Sequence, residues 1–186
     1  MITIQSLSIR DIEDTMLNEF DRTQKTTKVL YQQGVKLLEK EDCFDDDWST
    51  DKKHEITSHF KNVLKQGGAV IAVFEITKLA GFAVIEGKHF GSRNQYLELS
   101  YIHVSREFRG RGIGEELMVA VKKKALQLGA SKLYIGAHPS VETQAFYKKT
   151  GCVLAAEVNE EIYQREPRDL QLELSSRKNV NAINLV

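Results

Sequence analysis

Over residues 2–9 apolar positions alternate with polar ones, which predicts a first strand. Asp11 follows as a candidate helix N-cap ahead of Met16 and Leu17. Over residues 25–41, Val29, Leu30, Val35, Leu37 and Leu38 come close to helical spacing, interrupted by Gly34, and predict a second helix. Residues 41–48, Glu-Asp-Cys-Phe-Asp-Asp-Asp-Trp, read as an acidic loop holding two aromatics. Ile56, Phe60, Val63 and Leu64 then mark a third helix, which Gly67-Gly68 ends.

From there the pattern turns to strands. Residues 69–76 are rich in β-branched side chains, residues 79–86 follow after Thr77-Lys78, and residues 96–104 follow a polar loop, so a meander is expected. Ile113, Leu117, Met118, Val121, Ala125 and Leu128 fall on one helical face, Gly129 closes that helix, and Lys122-Lys123-Lys124 lies largely on its solvated side. Residues 132–137 predict a strand, 141–150 a helix, and 153–158 and 169–174 the last strands. Residues 1–174 read as a single domain with a helical insertion over about 11–67, followed by a polar, loosely ordered tail over 175–186.

Composition narrows the classes of partner. The chain has 186 residues, and its 26 Lys plus Arg balance 26 Asp plus Glu, so nothing points to a nucleic-acid or membrane surface. Cys43 and Cys152 are far apart and in no metal-ligand spacing, which predicts free thiols and no metal. The N-terminus has no basic region followed by an apolar run, and cytoplasmic residence is the expectation.

The densest chemistry lies at Arg109-Gly110-Arg111-Gly112-Ile113-Gly114, between a predicted strand and a predicted helix. Glycines allow positive φ and a close backbone approach, and a helix N-terminus carries roughly half a positive charge, so this is an anion site suited to phosphate. A Walker loop would need Lys-Ser or Lys-Thr after the last glycine, where Glu115-Glu116 stands. A dinucleotide fingerprint would need glycine where Glu115 is found. The remaining Arg-x-x-Gly-x-Gly pattern, Arg109, Gly112 and Gly114, resembles the acyl-CoA pyrophosphate loop of the GNAT superfamily of N-acyltransferases. A second segment, Ala145-Phe146-Tyr147-Lys148-Lys149-Thr150-Gly151, is similar to the family's helix-to-strand motif, with its Phe-Tyr pair and a glycine four residues after the tyrosine.

The resemblance covers residues 69–174 best. It implies an α/β (α+β) fold with a central, mixed, mostly antiparallel twisted sheet flanked by helices, and acetyl-CoA as co-substrate. It places the pyrophosphate at Arg109 to Gly114, and the pantetheine arm and the oxyanion at the backbone of Ile102, His103 and Val104. Ser140 stands where the family commonly has Asn; it can cap the helix and touch the cofactor arm. Glu98 matches the family's general-base glutamate and Tyr147 its thiolate-protonating tyrosine. A solvent-facing strand glutamate and a core aromatic are the plainer alternatives, and Phe146 is the better core candidate of the Phe-Tyr pair.

His103 is the rival base. A strand alternates, and five residues separate His103 from Glu98, so the two are expected on opposite faces unless a bulge changes the phase. His138 before Pro139 reads as a loop residue near the cofactor arm. A covalent route through Cys43 or Cys152 is disfavoured for want of a histidine partner. The expected activity is transfer of acetyl to a small primary amine by direct attack. Asp42, Asp45, Asp46 and Asp47 with Phe44 and Trp48 would favour a cationic acceptor, against a merely solvated acidic loop. A non-catalytic acyl-CoA sensor, a protein N-acetyltransferase and a homodimer stay open.

Overall fold

The β-branched run at residues 69–76 forms a strand because a second apolar run lies two residues beyond it. In the computed structural model, which describes residues 1–34 and 36–177, β4 (Ala69–Glu75) and β5 (Lys78–Ile85) make an antiparallel hairpin. Both strands are buried almost throughout, as suits a sheet covered on its two faces. The hairpin turn puts Ile76 at φ 60°, a left-handed conformation, while leaving its side chain 79 % exposed. Left-handed backbone costs an ordinary L-residue roughly 1–2 kcal/mol, and Asn tolerates it better. Ile76→Asn should therefore raise the unfolding free energy by about 1 kcal/mol in urea denaturation; a loss would mean that the isoleucine has a packing role.

Around this hairpin the sheet extends on both sides. β1 (Ile2–Ser6) pairs antiparallel with β4, and β6 (Tyr96–Val104) antiparallel with β5. β7 (Lys132–Ala137) is parallel to β6, and β9 (Leu170–Ser175) returns antiparallel between β7 and the short β8 (Val153–Leu154). α2 (Ile113–Gln127) buries Ile113, Leu117, Met118, Val121 and Ala125 on one face of the sheet, where α3 (Val141–Lys149) adds Tyr147. α1 (Thr50–Lys65), capped by Ser49, buries Ile56, Phe60 and Val63 on the other face against Phe82 and Val84. No helix among the described residues is long and apolar enough to cross a membrane.

Three expectations are corrected. Residues 25–41 are not helical: β2 (Gln24–Gln33) and β3 (Lys36–Asp46) form a separate antiparallel ribbon that turns at Gly34, φ 62°. Thr26, Thr27 and Val29 favour a strand, and among the described residues read at helical spacing Val29 is fully buried while Leu30, Leu37 and Leu38 are not. Val35 lies outside the described residues, as does most of the tail. The ribbon docks by pairing, with the Leu30 N–H donating to Pro139 O at 2.8 Å. The acidic segment consequently lies mostly on β3, with Asp42, Phe44 and Asp46 half-buried and Asp45 and Asp47 exposed.

Asp11 is not a helix N-cap. Its carboxylate accepts from the Ser8 N–H and hydroxyl, both at 2.7 Å, around a single 3-10 turn, and Leu17 and Phe20 are buried from irregular backbone. Residues 153–158 supply two strand residues, after which α4 (Glu160–Arg165) forms. Asn159 caps α4 through a bond from the Ile162 N–H at 3.0 Å, and Glu160 and Glu161 complement its dipole.

Candidate functional site

β6 and β7 pair over three residues, Tyr96↔Lys132, Leu97↔Leu133 and Glu98↔Tyr134, and then part. The result is a V-shaped gap between residues 99–104 and 135–140. It is the centre of a cleft of ≈ 1310 Å³, more than the roughly 300–1,000 Å³ that a single small ligand uses, and so room for two substrates. On the closed side, the Ser105 N–H donates to Ala80 O, so residue 105 faces β5. Strand alternation then directs the amides of Ile102 and Val104 into the gap and that of His103 toward β5.

A bulge sets which side chains face the gap's two walls. Val84 pairs with Tyr101 and Ile85 with Leu99, so Ser100 is an extra residue. Before the bulge Leu97 and Leu99, and after it Ile102 and Val104, pack toward α2. Tyr101 and His103 lie on the opposite face, where His103 meets the Trp48 ring edge-on at 4.9 Å. The phase shift therefore puts His103 on the same face as Glu98, correcting the expectation from simple alternation. Burial first, then Arg22 and Arg109, hold the His103 imidazole well below its ordinary pKa and hence neutral.

At one end of the cleft, β6 runs through a 3-10 turn (Arg106–Phe108) into the glycine loop and α2. Gly110 and Gly112 have φ 74° and 81°. The first backbone bond at the helix start runs from the Glu116 N–H to Gly112 O at 3.1 Å, which leaves the amides of Gly112, Ile113 and Gly114 free to meet an anion. Gly114 serves packing: a Cβ there would lie 3.0 Å from the Phe146 ring.

Two arginines of this motif have other partners. The Arg109 guanidinium donates to the carbonyls of Val104, Thr23 and Arg22 at 3.0, 2.8 and 3.1 Å, tying the segment before β2 to the loop. The Arg111 side chain pairs with Glu75 and covers Phe108, outside the cleft lining. Ser140 also has partners within the fold. It caps α3 as expected, but its buried hydroxyl donates to Thr143 Oγ1 at 2.8 Å and accepts from Gln24 Nε2 at 2.9 Å, outside the cleft lining. Its neighbour Thr143 does line the cleft.

Tyr147 lines the cleft and is more enclosed than Phe146, which covers Gly114; the core role expected of Phe146 falls to both rings. Burial, followed by Cys152 and Asp169, raises the Tyr147 phenol above its usual range, so it keeps its proton. Cys152 itself is buried with its thiol pushed up to about 11, unsuited to nucleophilic work.

The opposite half of the cleft is rich in carboxylates. Glu98 is bonded to Arg165 at 2.7 Å, and burial raises its carboxyl despite that partner. Behind it, Glu86 accepts from His59 at 2.8 Å and from the Ser100 hydroxyl. His138 accepts from the Ser140 N–H on Nδ1 at 3.2 Å, so its proton sits on Nε2 and donates to Asp46 at 3.1 Å. Arg168 approaches Asp42 at 3.6 Å and stacks over Phe44 at 4.5 Å. Arg22 is buried between Trp48 and Gln24. Arg22, Arg165, Arg168 and Asp169 were not singled out from the sequence; the Asn159 cap and acidic first turn of α4 were the available signal for the element carrying Arg165.

Residues 36–152 match the model of the acetyltransferase (GNAT) family, and the chain belongs to that family. No curated protein matches the sequence. Among solved structures, the chain is similar to a nourseothricin acetyltransferase, with 18% identity, a TM-score of 0.68, and 95% of this chain and 99% of that one covered. A Bacillus anthracis protein assigned as a streptothricin acetyltransferase, solved with acetyl coenzyme A, shares 17% identity at a TM-score of 0.67, with 94% and 97% covered. The Escherichia coli ribosomal-protein-S18-alanine N-acetyltransferase shares 14% at 0.58, with 100% of both chains covered. At these identities the likeness establishes the fold.

Proposed function

We propose that this protein transfers an acetyl group from acetyl-CoA to a primary amine of a small cationic acceptor, by direct attack in a ternary complex. The observation that carries the reading is the single cleft with an anion-binding helix start at one end, gap-facing amides and Tyr147 at its centre, and half-buried carboxylates at the other. The glycine loop holds the pyrophosphate, while the Ile102 and Val104 amides hold the pantetheine arm and the developing oxyanion. A preorganised donor of that kind is worth roughly 3 kcal/mol in the transition state. Tyr147 protonates the departing thiolate. A carboxylate of the acceptor wall takes the ammonium proton; Glu98 is the one the sequence points to, and in that role it must part from Arg165.

The β2–β3 ribbon argues for a small acceptor over a peptide. It is fixed to Pro139 on one side and to Arg168 on the other, and so walls the acceptor half. The structural neighbours that act on nourseothricin and streptothricin accord with this, and the one solved with acetyl coenzyme A supports the cofactor. A screen of amines with acetyl-CoA, read by thiol release, tests the reading: turnover separates an enzyme from an acyl-CoA sensor, and acetylation of peptides in preference to small amines would favour the protein-modifying reading.

Charge on β3 gives a sharper test. Asp46 and Asp47 line the cleft and Asp45 does not. Asp46→Asn with Asp47→Asn should raise the acceptor KM about 5-fold or more, of the order of 1 kcal/mol for a nearby charge, and flatten its salt dependence. Asp45→Asn should change neither constant. Equal acceptor KM for the double variant and the parent at low salt would mean a solvated acidic face.

A further inference from the structure

Among the described residues four carboxylates are partly enclosed along the cleft, and three are engaged: Asp46 with His138, Glu98 with Arg165 and Glu115 with Lys149. The carboxylate of the fourth, Asp169, has no hydrogen-bonding or ionic partner among the described residues. Asp169 leads into β9 at the end where β7 has left β6, since Leu170 pairs with Ala137. Leu170, Leu172 and Leu174 point toward α2, whereas Gln171 and Glu173 bond the hydroxyls of Tyr134 and Tyr96 on the other face. Alternation places Asp169 on that second face, with Glu98, Tyr101 and His103. Next to it Gly136 leaves the floor bare: a Cβ there would lie 3.4 Å from Ile162 and 3.9 Å from Asp169 Oδ2. Glu98, by contrast, stands where β6 and β7 are still paired, at the closed apex of the gap.

We infer that Asp169, rather than Glu98, is the catalytic base, receiving the acceptor's ammonium over Gly136 and taking its proton. This rests on the acetyl-transfer reading. The ammonium gives one proton to Asp169, and the freed nitrogen lone pair forms the C–N bond as the thioester carbonyl electrons move to oxygen. Collapse breaks the C–S bond, and the thiolate takes the Tyr147 proton to leave as thiol. The nitrogen's second proton restores Tyr147, and Asp169 releases its own to solvent, so that amine, thioester, amide and thiol balance with one proton liberated.

The surroundings suit the task. Burial, together with Glu166 from the same loop and Asp46 from β3, pushes the Asp169 carboxyl up to about 7, against the opposing Arg168. After burial and Cys152, the Asp169 charge helps to keep the Tyr147 phenol protonated. A base is most effective with a pKa near the working pH. Because the folded-state pKa is raised, the carboxylate costs stability progressively as pH rises from its ordinary range through about 7. Removing the charge relieves that cost above pH 7 and not below about pH 4.

The test is the pH dependence of kcat/KM with lysine, spermidine and glucosamine as acceptors, for the parent, Asp169→Asn, Asp169→Ser and Glu98→Gln. In the parent, activity should rise through a limb near 7. Both Asp169 variants should lose about 100-fold or more at pH 7, recover as the pH passes the amine's own pKa, and bind acetyl-CoA as the parent does. Asp169→Asn should melt no lower than the parent at pH 8, which separates lost chemistry from lost fold. Glu98→Gln should lose no more than several-fold and keep the limb. Turnover by the parent with the limb intact in Asp169→Asn, or lost in Glu98→Gln, overturns the assignment while leaving acetyl transfer standing. No turnover by the parent with any of the amines overturns both.

Discussion

Gly112→Asp is expected to weaken acetyl-CoA binding by about 100-fold or more while costing the fold no more than about 1–2 kcal/mol. Gly112 is the N-cap of α2 at φ 81°, with nothing within 4 Å of a Cβ built on it, so the fold has room for a side chain. Aspartate bears left-handed backbone at less cost than most L-residues, and its charge complements the helix dipole, so the strain it introduces is small. The same charge stands where a pyrophosphate needs the free amides of Gly112 to Gly114. The loss of coenzyme binding therefore far exceeds the loss of stability, and calorimetry and thermal melting read the two separately. Gly114→Asp is no substitute, because its side chain meets Phe146. Unchanged affinity in Gly112→Asp would remove the loop from the coenzyme site.

Tyr147→Phe should lower kcat by about 100-fold, in the range of a lost general acid, with acetyl-CoA affinity within a factor of two. No hydrogen bond to the Tyr147 hydroxyl is present among the described residues, so its removal leaves no buried partner unsatisfied. The ring, packed against the α2 side of the sheet, stays in place. Burial keeps the phenol protonated well above neutrality, so the parent should show no loss of activity from this group as pH rises toward about 10. A variant that lost affinity in proportion to kcat would make Tyr147 a packing residue for the coenzyme arm.

What was legible in the sequence was local. The strand, glycine loop and helix of residues 96–128 are contiguous, and the glycines at 110 and 112 occupy the positive-φ positions that a helix-start anion site needs. α1, α2 and α3 were readable because a 3.6-residue period identifies a buried stripe without reference to its partner. β4 and β5 were readable because buried β-branched runs flank a two-residue turn.

The sequence by itself determined the glycine loop at the start of α2, the family resemblance and the helix that carries Tyr147, all of which follow from spacings within single segments. Tertiary structure decided the carboxylate-rich half of the cleft. The β2–β3 ribbon is strand rather than helix because it docks on Pro139 and Ser140, more than a hundred residues away. The bulge at Ser100 is set by pairing with β5, and one inserted residue moved His103 to the face of Glu98. Whether a carboxylate is paired, as Glu98 is with Arg165, or has no partner among the described residues, as with Asp169, depends on which chain segments pack beside it. Backbone conformation is chosen by neighbours along the chain, whereas protonation and charge pairing are chosen by neighbours in space.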